Sequence, residues 1–190
     1  MKSLSAPIKG LIVSLLAMGI SFAIYFLFLA KKNYYLVDNP TPETYYFKIN
    51  NGQENILSAG QYLKVDLNKG KNDIKVFDVN KNLIYDSAFT VNKIRGLINI
   101  SHKDYYINNQ YYGYGINKDS LIATTKGIDI DNKHYLGDVK KTNKLYTEDF
   151  YYNLDEDYDR IVKNVAKTES RSKIFRKQDF INYYKNYYKL

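Results

Sequence analysis

The 190-residue sequence has no cysteine and no tryptophan, and only three prolines and two histidines. Without cysteine there is no disulfide, no thiolate metal site, no cysteine nucleophile and no lipid-modified N-terminal cysteine. His102 and His134 share no short spacing, and neither has the i, i+4 partner that a helical zinc site needs. Walker and Gly-x-Gly-x-x-Gly phosphate loops are missing, as is the Gly-x-Ser-x-Gly nucleophile elbow; Gly113-Tyr114-Gly115 stands alone. Asp155, Asp157 and Asp159 alternate like the start of a calcium loop. An EF-hand needs glycine at its sixth position and glutamate at its twelfth, and here these are Arg160 and Ala166. No cofactor is implied.

Acid is also absent from the first 32 residues, which carry Lys2, Lys9, Lys31 and Lys32. The overall net charge of +8 is therefore unevenly spread. Residues 33–162 hold 16 basic and 18 acidic side chains, whereas residues 163–190 hold 8 basic and 2 acidic ones. A nucleic-acid binder places its positive field on the folded domain. The nearly neutral centre here argues against such a partner.

What the N-terminus does have is an uncharged run of 20 residues, Leu11–Ala30. At about 1.5 Å per residue it spans roughly 30 Å, the thickness of a bilayer's hydrocarbon core. Flanking lysines can snorkel to the headgroups, and Tyr34 and Tyr35 follow at the depth where amphipathic rings prefer to sit. The run is longer than a signal-peptide core, and cleavage after Ala30 would put Phe28 at a site that requires a small residue. An uncleaved single-pass anchor is expected. A short N-terminal tail favours the cytoplasm, which places the remaining chain outside. Gly10, Ser14, Ala17 and Ser21 share one helical face, a pattern that permits close approach of a second membrane helix, including one from another copy.

Beyond residue 36 the pattern changes to short alternating runs: Thr44–Ile49, Tyr62–Leu67, Asp73–Asp78, Leu83–Val91, Leu97–Ile100 and Tyr105–Tyr112. Turn signals such as Asn50-Asn51-Gly52 and Asn68-Lys69-Gly70 separate them, at a spacing typical of an antiparallel sandwich or small barrel. Leu121–Thr124 and Gly127–Ile130 are further short candidates. Residues 148–159 read as an acidic loop, and Arg171–Leu190 as an amphipathic helix with Ile174, Phe175, Phe180, Ile181, Tyr184 and Tyr188 on its apolar side. The expected fold is mainly β: an antiparallel β-sandwich-like domain with an N-terminal transmembrane helix and a C-terminal amphipathic helix. The divisions are 1–32 tail and anchor, 33–43 juxtamembrane linker, 44–147 β-rich domain, and 148–190 acidic loop and basic helical tail.

Twenty-one tyrosines are present, many as doublets. A doublet on a strand sends one ring to each face. Tyr105, Tyr106, Tyr111 and Tyr112 therefore form a candidate partner surface, because tyrosine gives large contact area at low entropy cost.

Val37-Asp38-Asn39-Pro40-Thr41, the Leu67-Asn68-Lys69-Gly70 hairpin, Gly96-Leu97-Ile98-Asn99, Tyr105-Tyr106-Ile107, Tyr111-Tyr112-Gly113 and Ile174–Phe180 together resemble segments of a bacterial, Bacteroidetes-like group of membrane-anchored envelope β-domains. The hairpin portion is also similar to PEGA-type domains, which are small extracytoplasmic β-modules. The resemblance implies an envelope location and no catalytic residue. The Asp38-Asn39-Pro40-Thr41 segment has its own physical reading: Pro40 forces Asn39 out of the helical region, and Asn or Asp side chains bond nearby amides. The expected function is a membrane-anchored, non-enzymatic interaction module of the bacterial envelope that binds a protein or a surface glycan. Two other readings stay open: a cation-assisted envelope hydrolase using the carboxylates of 148–159, and a structural subunit of a membrane complex.

Overall fold

The computed structural model describes residues 5–29, 33–112, 120, 125–159 and 169–188, with the backbone alone at 28, 29 and 188. The chain divides into two compact units, residues 1–32 and 33–190.

In the first unit, α1 (Ala6–Ile24) continues into a π-helical turn at Tyr25–Leu29. Pro7 lies in its opening turn, where a missing amide hydrogen costs nothing. The helix thus starts before the apolar run that begins at Leu11. Over Ala6–Leu27 it is long and apolar enough to cross a membrane, and none of it is buried. Ala30, the last residue expected in the span, lies outside the described residues.

The second unit is mainly β, and its layers follow from which strands are apolar on one face and which on two. β1 (Tyr34–Asp38), β4 (Tyr62–Val65), β7 (Arg95–Asn99) and β12 (Tyr146–Thr147) form a central sheet in the order β12-β7-β1-β4. β2 (Tyr45–Ile49), β3 (Asn55–Leu57), β5 (Gly70–Phe77) and β6 (Leu83–Val91) form an outer sheet in the order β3-β2-β5-β6. β8 (Tyr105–Tyr112), β11 (Asp138–Thr142) and β13 (Glu169–Arg176) form a third sheet in the order β11-β8-β13. A two-stranded hairpin, β9 (Ile128–Ile130) and β10 (Lys133–Tyr135), and helix α2 (Lys177–Tyr188) complete the unit. All pairings between these strands are antiparallel except β1 with β7.

Three apolar clusters separate the layers. Tyr35 and Val37 on β1 and Ile98 on β7 meet Phe47, Ile74, Val76, Phe89 and Val91 of the outer sheet. From the opposite face of the same two strands, Leu36 and Leu97 meet Tyr105, Ile107 and Ile174 of the third sheet, joined by Phe150. The far face of the third sheet sends Tyr106 and Phe175 against Phe180 and Tyr184 of α2 and Ile130 and Tyr135 of the hairpin. β1 and β7 are thus buried on both faces, the usual setting of a parallel pair.

This stacking corrects three expectations. Residues 33–43 are not a linker, because β1 is the axis of the central sheet; its run Tyr34–Asp38 lacks alternation since both sides are covered. The segment 148–190 is not a separate tail. Residues 151 and 152 donate amides to Ser172 O, Ile174 N returns a bond to Tyr152 O, and Phe150, Tyr152 and Asn153 are buried. Helix does not begin at Arg171: Ile174 and Phe175 lie on β13 and point to different clusters, and α2 starts at Lys177. The strand expected at Leu121–Thr124, Gly113-Tyr114-Gly115, and residues 160–168 of the basic segment lie outside the described residues.

Turn chemistry sits where the dipeptides put it. Asn50 and Asn51 take φ of 50° and 58°, and Gly70 takes 92°. The Asn39 side chain organises the β1–β2 connection. Its Nδ2 donates to Glu43 O (2.7 Å) and Ser58 O (3.0 Å), and its Oδ1 accepts from Thr41 N (3.1 Å) and Thr41 Oγ1 (2.7 Å). Beside it, fully buried Asp38 accepts from Tyr105 Oη and from Arg176, whose Nε lies 3.0 Å away. That triad bolts the central sheet to the third.

Candidate interaction surface

Central and third sheets carry an apolar cluster on each face, whereas the outer sheet carries one only on its inner face. Its other face is left uncovered among the described residues, as is the outward side of the short β9–β10 hairpin, where Asp129 and His134 are exposed. Directly paired residues on antiparallel strands share a face. Tyr46 pairs with Ile56 on one side and Phe77 on the other, and Phe77 pairs with Leu83. The result is an apolar row, Ile56–Tyr46–Phe77–Leu83, crossing all four strands.

Two of its members are widely open: Ile56 and Leu83 are each 55% exposed, and Val79 and Ile84 beside Leu83 are 63% and 49% exposed. A bulge opposite Val76 and Phe77 shifts the register here, skipping Ile84 and pairing Leu83 with Phe77 on the outer face. Lys81 Nζ lies 3.1 Å from the Tyr46 ring centroid, and Lys48 Nζ lies 5.8 Å from that of Phe77. Both ammonium groups pair with Glu54, whose carboxyl is held below its ordinary value chiefly by the Lys81 hydrogen bond. The next row holds Lys75 paired with Asp86 at 3.1 Å. The apolar strip thus has a charged border of three lysines and two carboxylates, which makes it a candidate docking surface. Neither Ile56, Phe77, Val79 nor Leu83 was singled out by the sequence. The signal was present in the alternation of β2 and β5, but only pairing register lines the residues up.

The tyrosines expected at the surface divide. Tyr105 and Tyr106 are 1% and 3% exposed and belong to two different cores, so they are not a partner surface. The one-in, one-out rule fails at β8 because both faces of that strand are covered. It holds on the outer sheet, where Tyr45 packs inward and Tyr46 faces out. Tyr111 and Tyr112 are half-buried; Tyr111 donates to Asp138 Oδ2 at 2.5 Å, and this bond pushes its phenol up to about 12. Tyr112 donates to Glu169 at 2.7 Å and ends a ladder of rings and cations. Along it Arg171 lies over Tyr112 and Tyr151, Arg95 over Tyr151 and Tyr34, and Lys64 over Tyr34. The ladder stitches the third sheet to the central one.

The carboxylates of 148–159 take up separate partners. Glu148 caps the Asn92 and Lys93 amides at 3.0 Å each; burial pushes its carboxyl up, but the amides outweigh it and the group sits below its ordinary value. Asp149 pairs with Lys93, Glu156 with Arg95, Asp157 with Lys173 and Asp159 with Arg171, and Asp155 accepts from Tyr34. The acidic segment therefore faces basic residues at the start of β7 and on β13. His102 lies exposed beside the Tyr85 ring, and His134 is exposed and bonded to Asp129. Among the described residues no three metal-ligating side chains converge. The hydrolase reading required convergence; the structure disperses these groups instead.

On α1, Gly10, Ser14, Ala17 and Ser21 are all exposed. Ser14 Oγ donates to Leu11 O and Ser21 Oγ to Ala17 O, which leaves a small, hydrogen-bonded face.

Comparison with protein-family models, curated proteins and solved structures finds no match.

Proposed function

We propose that the protein is a membrane-tethered, non-enzymatic interaction module of a bacterial envelope that docks a protein partner on the open face of its outer sheet. The observation that carries this reading is the apolar row Ile56–Tyr46–Phe77–Leu83 on the uncovered face of the outer sheet. Supporting it are the length and apolarity of α1, which suit a single-pass anchor in the cytoplasmic membrane. The resemblance to envelope β-modules favours a domain outside the membrane.

The test places a photo-reactive amino acid at Leu83 in the full-length protein, in its native membrane, with Lys140 on exposed β11 as the control position. One discrete adduct from position 83, absent at 140 and lost in Ile56→Glu, supports the reading. An adduct of twice the chain mass identifies the partner as a second copy. No adduct at 83, or equal adducts at both positions, overturns it. Protease accessibility of the domain in intact cells tests the orientation separately.

A further inference from the structure

A sheet that ends in water leaves a row of backbone amides and carbonyls unpaired. Folded proteins guard such edges with short strands, lysines, bulges or a covering segment. Most sheet edges here are guarded in one of these ways. β3, β12 and the two hairpin strands are two or three residues long, and β4 has four residues. β11 carries Lys140 and Lys141 side by side. β13 is covered, because Tyr151 N and Tyr152 N donate to Ser172 O and Ile174 N donates to Tyr152 O.

β6 is different. It is nine residues long and ends the outer sheet in the order β3-β2-β5-β6. It has no proline and no lysine, and its one charge, Asp86, is already paired with Lys75 of the same sheet. The bulge lies at its first residues, and from Tyr85 to Val91 its pairing with β5 is regular. Among the described residues no backbone group from another strand or loop bonds to its far side.

The side chains of β6 fit a second copy of the same strand. Residues directly opposite on antiparallel strands share a face. Tyr85, Phe89 and Val91 pack on the first core and Ser87 pairs with Ile74 of that core, whereas Asp86, Ala88 and Thr90 are exposed on the open side. Two-fold pairing must therefore centre on a residue, so that inner side chains meet inner ones. Centred on Asp86, it sets two carboxylates against each other. Centred on Ala88, it uses the whole regular stretch Tyr85–Val91, and every other centre uses less of it. That register puts Tyr85 opposite Val91 and Asp86 opposite uncharged Thr90, each twice. Aromatic and β-branched partners stabilise a ladder, and no like charges meet. Such a contact also closes, because each copy has one β6 and no further copy can add. We infer that β6 pairs antiparallel with β6 of a second copy, centred on Ala88, joining two four-stranded outer sheets into one. Tethering by α1 in one bilayer, as proposed above, raises the local concentration of copies, which suits a contact of small extent.

The chain has no cysteine, so a single introduced thiol reports only contact between copies. Ala88→Cys is placed in the full-length protein in its native membrane, with Lys140→Cys on lysine-guarded β11 as the control, and both are oxidised with copper phenanthroline. Opposite residues of an antiparallel pair stand about 4.5–5.5 Å apart between Cα atoms, within reach of a disulfide. The expected result is a disulfide-linked dimer from position 88 and none from 140. Adding Thr90→Asp sets a carboxylate opposite Asp86 of the other copy, twice, and should slow dimer formation about fivefold or more. Within its own chain that carboxylate faces Lys71, so the fold tolerates it. Thr90→Lys sets opposite charges together and should keep or raise the rate. Ile56→Glu, on β3 at the opposite edge, should leave the rate unchanged, which separates failure of this pairing from failure of the open-face reading. The inference is overturned by no dimer at 88, by equal dimers at 88 and 140, or by a rate that Thr90→Asp leaves unchanged or that Thr90→Lys lowers as much. A dimer lost in Ile56→Glu puts the contact on the open face and overturns it too.

Discussion

Asp38 is the residue on which the layers depend most. Its carboxylate is completely buried and joins Tyr105 of the third sheet to Arg176 at the end of β13. Burial, and after it the Asp38 charge, push the Tyr105 phenol far above its ordinary value. Removing one member of a buried ion pair leaves the other desolvated and unpaired. Asp38→Ala should therefore cost about 3–5 kcal/mol in urea unfolding. A loss below about 1 kcal/mol, the range of an exposed pair, would show that the triad is not the bolt described. The neighbouring Asn39 was legible in advance as a turn-forming residue, because the residue before proline is held extended and its amide has backbone groups within reach. That Asp38 would meet a guanidinium 138 positions away was not. Nothing local in the sequence encodes that distance.

At the scale of elements, α2 shows how a helix holds on to a sheet. Phe180 is fully buried and stacks on Tyr106 with centroids 5.5 Å apart, while Tyr135 and Tyr184 close around it. Phe180→Ala should cost about 3–5 kcal/mol. Because α2 packs on the third sheet, the hairpin and Tyr158, and on none of the outer-sheet cluster, the loss should appear first as faster hydrogen exchange in α2, β9 and β10, with β5 and β6 still protected. Uniform acceleration across β5 and β6 would contradict this layered arrangement. The helix itself was expected from its spacing, but its start was placed six residues early. Ile174 and Phe175 satisfy a helical period as adjacent apolar residues, and equally satisfy a strand buried on both faces; pairing with β8 decides between them. β1 was missed for the same reason, since a two-sided strand shows no alternation.

Across the whole molecule, tyrosine phenols tie stability to alkaline pH. Burial raises Tyr85 and Tyr146 beside the first core, Tyr105 in the second and Tyr158 beside the third. An unfolded tyrosine ionises near pH 10, so above that pH the unfolded chain binds fewer protons than the folded one. Stability contributed by these groups is complete below about pH 10 and is lost as pH rises toward the folded values. Absorbance at 295 nm should show these phenols ionising together with the loss of near-ultraviolet dichroism. A smooth titration of every tyrosine near pH 10 with the fold intact would refute the burial of the rings.

The sequence by itself determined the elements whose cause is local. Twenty uncharged residues make an apolar helix, alternation makes β2, β5 and β6, and Asn-Asn-Gly and Lys-Gly make the turns between them. Each of these depends on neighbours within a few positions. Only the tertiary structure decided what lies on the surface. Stacking a third sheet on the second face of β1 and β7 buried the Tyr105-Tyr106 pair, turned a supposed linker into the central strand, and spread the acidic segment over separate basic partners. It also left one face of the outer sheet uncovered, with Ile56, Tyr46, Phe77 and Leu83 in register across it. Exposure is a property of layers. A sequence states which side chains share a face of a strand, and the packing of distant strands states whether that face meets water.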